Sequence, residues 1–443
     1  MKYSALLLML LAFNCQLLFA ASTADKSVMA RFIRYVQINT QSDDTSTTVP
    51  TSTNQIEFAK QLTQELRELG VKDVRMSEFG FVYALLPANS KAEGLNIQPF
   101  GLIAHLDTSP GISGNNVKPI VHRNYQGGDI VLPADPKQVI RVAANPVLNT
   151  LIGDDIITAD GTTLLGSDDK AGIAAIMDLV ARLQKNPEII HGDIAIAFTP
   201  DEETSMGIEK FDVANFPADV AYTVDGGALG NITNETWHAR EVKVEFIGQN
   251  AHTGKAKGAM INAGYAAASF ITRLPVSQRA EETDGRTGFI HLEKANLAVS
   301  SAEIEILLRD FKLTDLDKKS ELIHDLASKT QKDFPNTEIK VQITDNYQNM
   351  HEVIKQHPYL VDYAMQATVR AGITPKQTAA RWGTDGSSLS FMGLPSPDIF
   401  TGGHNFHSKL EFNSRKGLEG TAETLFQLSQ VFVENAKRES EKH

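Results

Sequence analysis

The sequence predicts an α/β fold: a mostly parallel sheet with flanking helices, interrupted by an inserted, smaller ferredoxin-like α+β module. Three observations predict it. Strand and helix patterns alternate up to about residue 235, elements in the order β-α-β-β-α-β fill 236–349, and α/β alternation returns after about 350. The division is a leader over 1–24, a main domain over 25–235 and 350–443, and an inserted lid or dimerisation domain over 236–349.

In VMARFIRYVQIN, Val28, Phe32, Tyr35 and Val36 recur near the 3.6-residue period of a helix. Thr40 to Ser52 is a polar loop, and a second helix runs from about Asn54 to Leu69, stopping at Gly70. VKDVRM, VYALLP and GLIAHLD read as strands, and 108–150 is rich in loops. ITADGTTLLGSDDK leads into the helix KAGIAAIMDLVARLQK, where Ile173, Ile176 or Met177, Val180 and Leu183 make an apolar stripe. DIAIAFTP and DVAYTVDGG are strands. In the insertion, VKVEFIGQ is a strand, INAGYAAASFITRL a helix, FIHLEKANLAV and AEIEILLRDF a hairpin, 314–333 a charged helix and EIKVQITDNY the last strand. Beyond it come a helix at 352–371, the loop RWGTDGSS, the strand SPDIFTGG and a final helix at 415–436.

A net charge of -12, from 54 acidic and 42 basic residues, argues against nucleic acid as a partner. Lys2, the interrupted apolar stretch Leu6–Leu11 and Leu17–Ala21, and the small residues Ala20, Ala21 and Ser22 read as a secretory signal. The expectation is an exported protein, periplasmic or secreted, with no stable membrane span. The single cysteine, Cys15, lies inside that leader, so the remainder has no disulfide, zinc-thiolate site or cysteine nucleophile. G-x-S-x-G, H-E-x-x-H and P-loop patterns are also absent.

Five residues carry the chemical signal. His105 follows GLIA, Glu203 comes shortly after IAIAF, Asp225 ends VAYTVD, His407 follows PDIF by a few residues, and Asp168 follows TTLLGS. Ligands gather at the carboxyl ends of strands in α/β sheets. Two imidazoles and three carboxylates converging there suit two divalent cations, which need a bridging carboxylate between them. Singly, each residue has a plain structural explanation, such as helix capping for Asp168-Asp169 or a solvated turn for Glu202-Glu203. Jointly, acids placed directly after very apolar runs are costly without a cation. In an extended segment residues i and i+2 point the same way, so Asp107 can hold the other ring nitrogen of His105. Glu202, adjacent to Glu203, is left free as a general base.

In this order, the motifs HLD, DDKAG, EE, VDGG and the late histidine resemble the co-catalytic zinc exopeptidase and deacylase superfamily. Within it, RYVQINTQSD, AHLDTSPGISGNNVKP, DGTTLLGSDDKAGIA, NAHTGKAKG and GTDGSSLSFMGLPSPDIFTGG resemble the peptidase T family of tripeptide aminopeptidases, over roughly 28–435. The resemblance implies two zinc ions per subunit: one held by His105 and Asp225, the other by Glu203 and His407, with Asp168 bridging. It implies Asp107 as the supporting acid, Glu202 as the base, and His252, Arg309 and Arg381 as substrate-binding residues on a short peptide. A homodimer through the inserted module is a further expectation. Dipeptidase, carboxypeptidase and N-acyl amino acid deacylase readings use the same scaffold, and a non-catalytic peptide or metal binder is the distant alternative. Two departures stand out. The family's familiar members are cytoplasmic, and Trp382 occupies a position before the GTDG turn where a small residue is expected.

Overall fold

The computed structural model describes residues 27–442, so the segment read as a secretory signal lies outside the described residues. Eight strands form the main sheet, in the order Asp73–Met76, Val82–Leu86, Ile194–Thr199, Phe100–His105, Ala221–Gly226, Asp398–Phe400, Asn231–Glu235 and Lys376–Ala379. Ile194–Thr199, Phe100–His105, Ala221–Gly226 and Asp398–Phe400 are mutually parallel, and antiparallel pairs flank them. Phe100–His105 and Ile194–Thr199 are buried at all six positions, as strands covered on both faces require. Helices Ser167–Lys185, Val28–Val36, Pro358–Arg370 and Arg415–Ser440 contribute to the main core, where Phe100 stacks on Phe432 with centroids 4.4 Å apart.

The insertion forms a four-stranded antiparallel sheet in the order Phe289–Leu297, Ser301–Asp310, His238–Ile247, Glu338–Asp345. Numbered along the chain this is 2-3-1-4, and helices Ala263–Arg273 and Leu313–Asp333 cover one face, as in a ferredoxin-like module. Alternation sorts its residues. Val242, Val244, Ile304 and Ile306 pack against the helices, while Glu241, Lys243, Glu305 and Leu307 turn to a cavity shared with the main domain.

One expectation needs correction. The helix over 352–371 is two helices, His351–Ile354 and Pro358–Arg370: Pro358 opens the second, and His357 before it is non-helical at φ -126° and ψ 54°. TTLLGS, before Asp168, is a loop. Strands Asn231–Glu235 and Lys376–Ala379 escaped the reading because NITNE and KQTA lack an apolar run. No helix among the described residues is long and apolar enough to cross a membrane.

Candidate metal centre

The four parallel strands deliver their carboxyl ends to one edge. His105 ends Phe100–His105 and Asp225 lies at the end of Ala221–Gly226. Glu202 and Glu203 form the short turn after Ile194–Thr199, and His407 lies in the loop beyond Asp398–Phe400. Asp168 arrives from elsewhere, in the first turn of Ser167–Lys185. Gly172 lets this helix settle on the sheet, because a Cβ there would lie 1.9 Å from the Val224 carbonyl oxygen. Asp201, Ser205 and His407 all have positive φ, at 60°, 53° and 57°. Such backbone persists only where its surroundings enforce it.

Donor atoms of His105, Asp168 and Asp225 lie within 4.8 Å of one another, and those of Asp168, Glu203 and His407 do so as well. Asp168 belongs to both sets and turns a different oxygen to each. Its Oδ1 is 2.8 Å from His105 Nε2, and its Oδ2 is 3.1 Å from His407 Nε2. Asp225 Oδ1 lies 3.5 Å from His105 Nε2, and Glu203 Oε2 lies 2.8 Å from His407 Nε2.

These residues fit a pair of divalent cations. The donors are imidazole nitrogen and carboxylate oxygen, one carboxylate faces both triads, and the buried Glu203 Oε1 lacks a hydrogen-bond partner. The protonation state of the metal-free cluster agrees. Burial, then Asp168, pushes the Glu203 carboxyl up to about 7, and burial raises Asp225 well above the carboxylate range. Burial disfavours protonated His407, but Asp168 and Glu203 outweigh it and push the ring up to about 11. Without cations, protons hold the acids together.

A pH dependence follows. Glu203 and His407 bind their protons more tightly in the folded state than in the unfolded one, so their stabilisation of the metal-free fold is lost as pH rises. For Glu203 the window runs from its ordinary value to about 7. The metal-free protein is expected to unfold at a lower temperature at pH 8 than at pH 6. The gain in Tm on adding zinc is expected to be larger at pH 8, where fewer protons compete. Scanning calorimetry with and without zinc checks both, and a zinc gain that shrinks with rising pH contradicts them.

A further set of acids fixes these donor residues. Asp107 accepts the backbone N–H groups of Glu202 and Glu203 at 3.1 and 3.2 Å, and its Oδ1 lies 3.3 Å from His105 Nδ1. Asp201 accepts from the Thr51 N–H at 2.8 Å and from Gln55 Nε2 at 2.6 Å, which ties the Glu202-Glu203 turn to the second helix. Glu411, absent from the sequence reading, is buried and accepts three backbone N–H groups, from Leu165 at 2.8 Å, Gly166 at 2.7 Å and Asp168 at 3.1 Å. It is the clamp on the loop that presents Asp168.

Above the two triads is a cavity of about 1010 Å³, bounded across from the sheet edge by the polar face of the inserted module. Arg309 and Trp382 line it. Arg309 stands with its guanidinium carbon 5.6 Å from the Tyr347 ring centroid and one nitrogen on the carbonyls of Arg240 and Leu308. Arg381 is not on this wall. Its nitrogens donate to the carbonyls of Thr283, Gly285 and Thr287, and its guanidinium lies over Trp237, so it fastens the insertion to the loop before the GTDG turn. His252 is also outside the cavity lining, in an exposed turn where its Nδ1 accepts from the Gly254 N–H. The structure thus brings Arg309 to the cavity wall and leaves Arg381 and His252 outside the lining.

Residues 159–430 match the model of peptidase family M20/M25/M40. The chain belongs to that family. A curated relative, "Peptidase T" of Desulfitobacterium hafniense (strain Y51), is 44% identical over 408 residues, covering 92% of this chain and 98% of the relative. Among solved structures, aminopeptidase PepT from Bacillus cereus ATCC 10987 superposes with a TM-score of 0.70 at 21% identity, covering 92% of this chain and 98% of that one. The Bacillus subtilis YXEP protein, described as a dinuclear metal-binding peptidase of the M20 family, gives 0.61 at 13% identity, covering 93% and 99%. As a family M20/M25/M40 member the chain is a peptidase.

Proposed function

We propose that the protein is a dinuclear zinc aminopeptidase that releases the N-terminal residue of short peptides, tripeptides above all. The observation that carries this reading is one carboxylate, Asp168, shared by two donor triads on the floor of a peptide-sized cavity. His105 and Asp225 would hold one ion, Glu203 and His407 the other. Bound there, zinc would polarise the scissile carbonyl and make water acidic enough to attack at neutral pH. Glu202 takes the proton from the attacking water and passes it to the leaving amine. Burial, then Asp225, raises its carboxyl, the direction in which general bases are tuned. Asp107 holds the Glu202-Glu203 turn in register and stands 3.3 Å from His105 Nδ1. Arg309 offers its guanidinium to the substrate's terminal carboxylate. Gripping both ends of a peptide across one cavity selects its length.

The relatives named peptidase T and aminopeptidase PepT support this reading over a dipeptidase, carboxypeptidase or deacylase. The proposal includes a homodimer, supported by exposed Tyr265 and Leu297 on the inserted module. It also places the protein outside the cytoplasm, supported by the apolar leader and the absence of cysteine after Cys15.

The test is hydrolysis of matched di-, tri- and tetrapeptides by metal-analysed protein. Tripeptides are expected to yield a free N-terminal residue and a dipeptide, with kcat/KM about tenfold above the other lengths, the difference one terminal contact of about 1.4 kcal/mol makes. Chelation is expected to abolish turnover and zinc to restore it. Release of the C-terminal residue first, or turnover that survives complete metal removal, contradicts the proposal.

A further inference from the structure

Beside Glu202 a second cavity of about 350 Å³ adjoins the first. Glu202, Ser205, Tyr347 and Gly383 line both, so the carboxylate assigned to proton transfer stands at their junction. The partition is firmly held. Tyr347 Oη accepts from Trp237 Nε1 at 3.0 Å, and Gly383 lies flat against the ring, where a Cβ would come within 2.6 Å of Tyr347 Cζ. Any side chain at 383 would displace the ring that divides the two spaces.

The second cavity has a definite chemistry. Ile208, Phe391 and Met392 give it apolar walls, while Glu209, Ser388 and Asp385 supply acceptors. No lysine, arginine or histidine lines it. Its other acid, Asp345, already has a cation, with Arg240 Nε 2.7 Å away. Asp385, in the GTDG turn, does not: it is 7% exposed, and its Oδ2 has no hydrogen-bond partner. A buried carboxylate oxygen without a donor is costly unless a ligand brings one.

Resting on the aminopeptidase reading, we propose that this second cavity receives the side chain of the substrate's N-terminal residue and selects a methylene stem ending in an ammonium group, with Asp385 as its acceptor. Connectivity favours a side chain over the chain terminus. The α-amino group is two bonds from the carbonyl under attack and stays in the first cavity, whereas the side chain leaves Cα in another direction and is the group free to enter the second. Its methylenes lie along Ile208, Phe391 and Met392, in the way amphipathic side chains bury a stem and spare a charged head. The pairing separates lysine from an isosteric apolar residue, because sites with buried polar groups reject ligands that leave them unpaired.

The experiment compares Lys-Gly-Gly with norleucyl-Gly-Gly, which keeps the stem and lacks the ammonium, on zinc-loaded protein. The wild-type protein is expected to favour the lysyl peptide about tenfold or more in kcat/KM. Asp385→Asn is expected to bring that ratio close to one. Ser388→Leu, which narrows the cavity, is expected to lower both peptides relative to Gly-Gly-Gly. A wild-type ratio of one or less overturns the proposal without any variant, even if Asp385→Asn fails to fold. A ratio that survives both substitutions overturns it, as does an equal loss for both peptides in Asp385→Asn, which would mark a structural role. If no N-terminal residue is released from any tripeptide, the aminopeptidase reading falls first and takes the subsite with it.

Discussion

Glu202→Gln is expected to keep two zinc equivalents per chain while kcat falls by about a hundredfold to ten-thousandfold, the contribution of a positioned general base. Glu202 belongs to neither donor triad, so its replacement removes no ligand. What Asp107 holds at this position is the backbone N–H, which the substitution keeps. Glutamine matches the shape of glutamate but cannot accept the proton of an attacking water. KM is expected to change little, because the loss falls on the chemical step. Stopped-flow or steady-state kinetics with metal analysis of the same sample decides it. Near-normal turnover at full zinc content would remove Glu202 from this role.

Asp168→Ala is expected to be the most damaging change to metal binding. Each of the other four ligands serves one triad, and Asp168 serves both. Asp225→Ala is expected to weaken one position and leave about one equivalent bound. Asp168→Ala is expected to bring the content below one equivalent and kcat/KM down by about a thousandfold or more, since charge stabilisation by the cations is worth several kcal/mol. Two equivalents retained by Asp168→Ala would show that the sites do not share a ligand. The Glu411 clamp on the Leu165–Asp168 backbone remains in this variant, so the loss is not one of loop position.

The parts of this centre differ in how far the sequence revealed them. His105, Glu203 and Asp225 were legible because each closes or follows an apolar run that forms a buried parallel strand. His407 follows another histidine, His404, by only three residues. The structure separates them: His404 stacks on Phe412 with centroids 4.9 Å apart, and His407 reaches Asp168 and Glu203. Asp168 was legible from the acidic pair opening a helix, although the run before it is not a strand. Glu411 had no comparable signal. It acts on backbone N–H groups about 245 residues away, and no local pattern encodes that pairing. Arg381 shows the converse: its place beside a motif was visible, but the backbone carbonyls and the indole that surround it come from distant segments. Pro358 was a visible helix boundary that the long amphipathic pattern obscured.

The most direct test of the shared centre is anomalous diffraction at the zinc absorption edge from crystals of the zinc-loaded protein. The account predicts two peaks about 3.5–4 Å apart, one against His105 and Asp225, the other against Glu203 and His407, with Asp168 between them. A single peak, or two peaks that do not both contact Asp168, would contradict it.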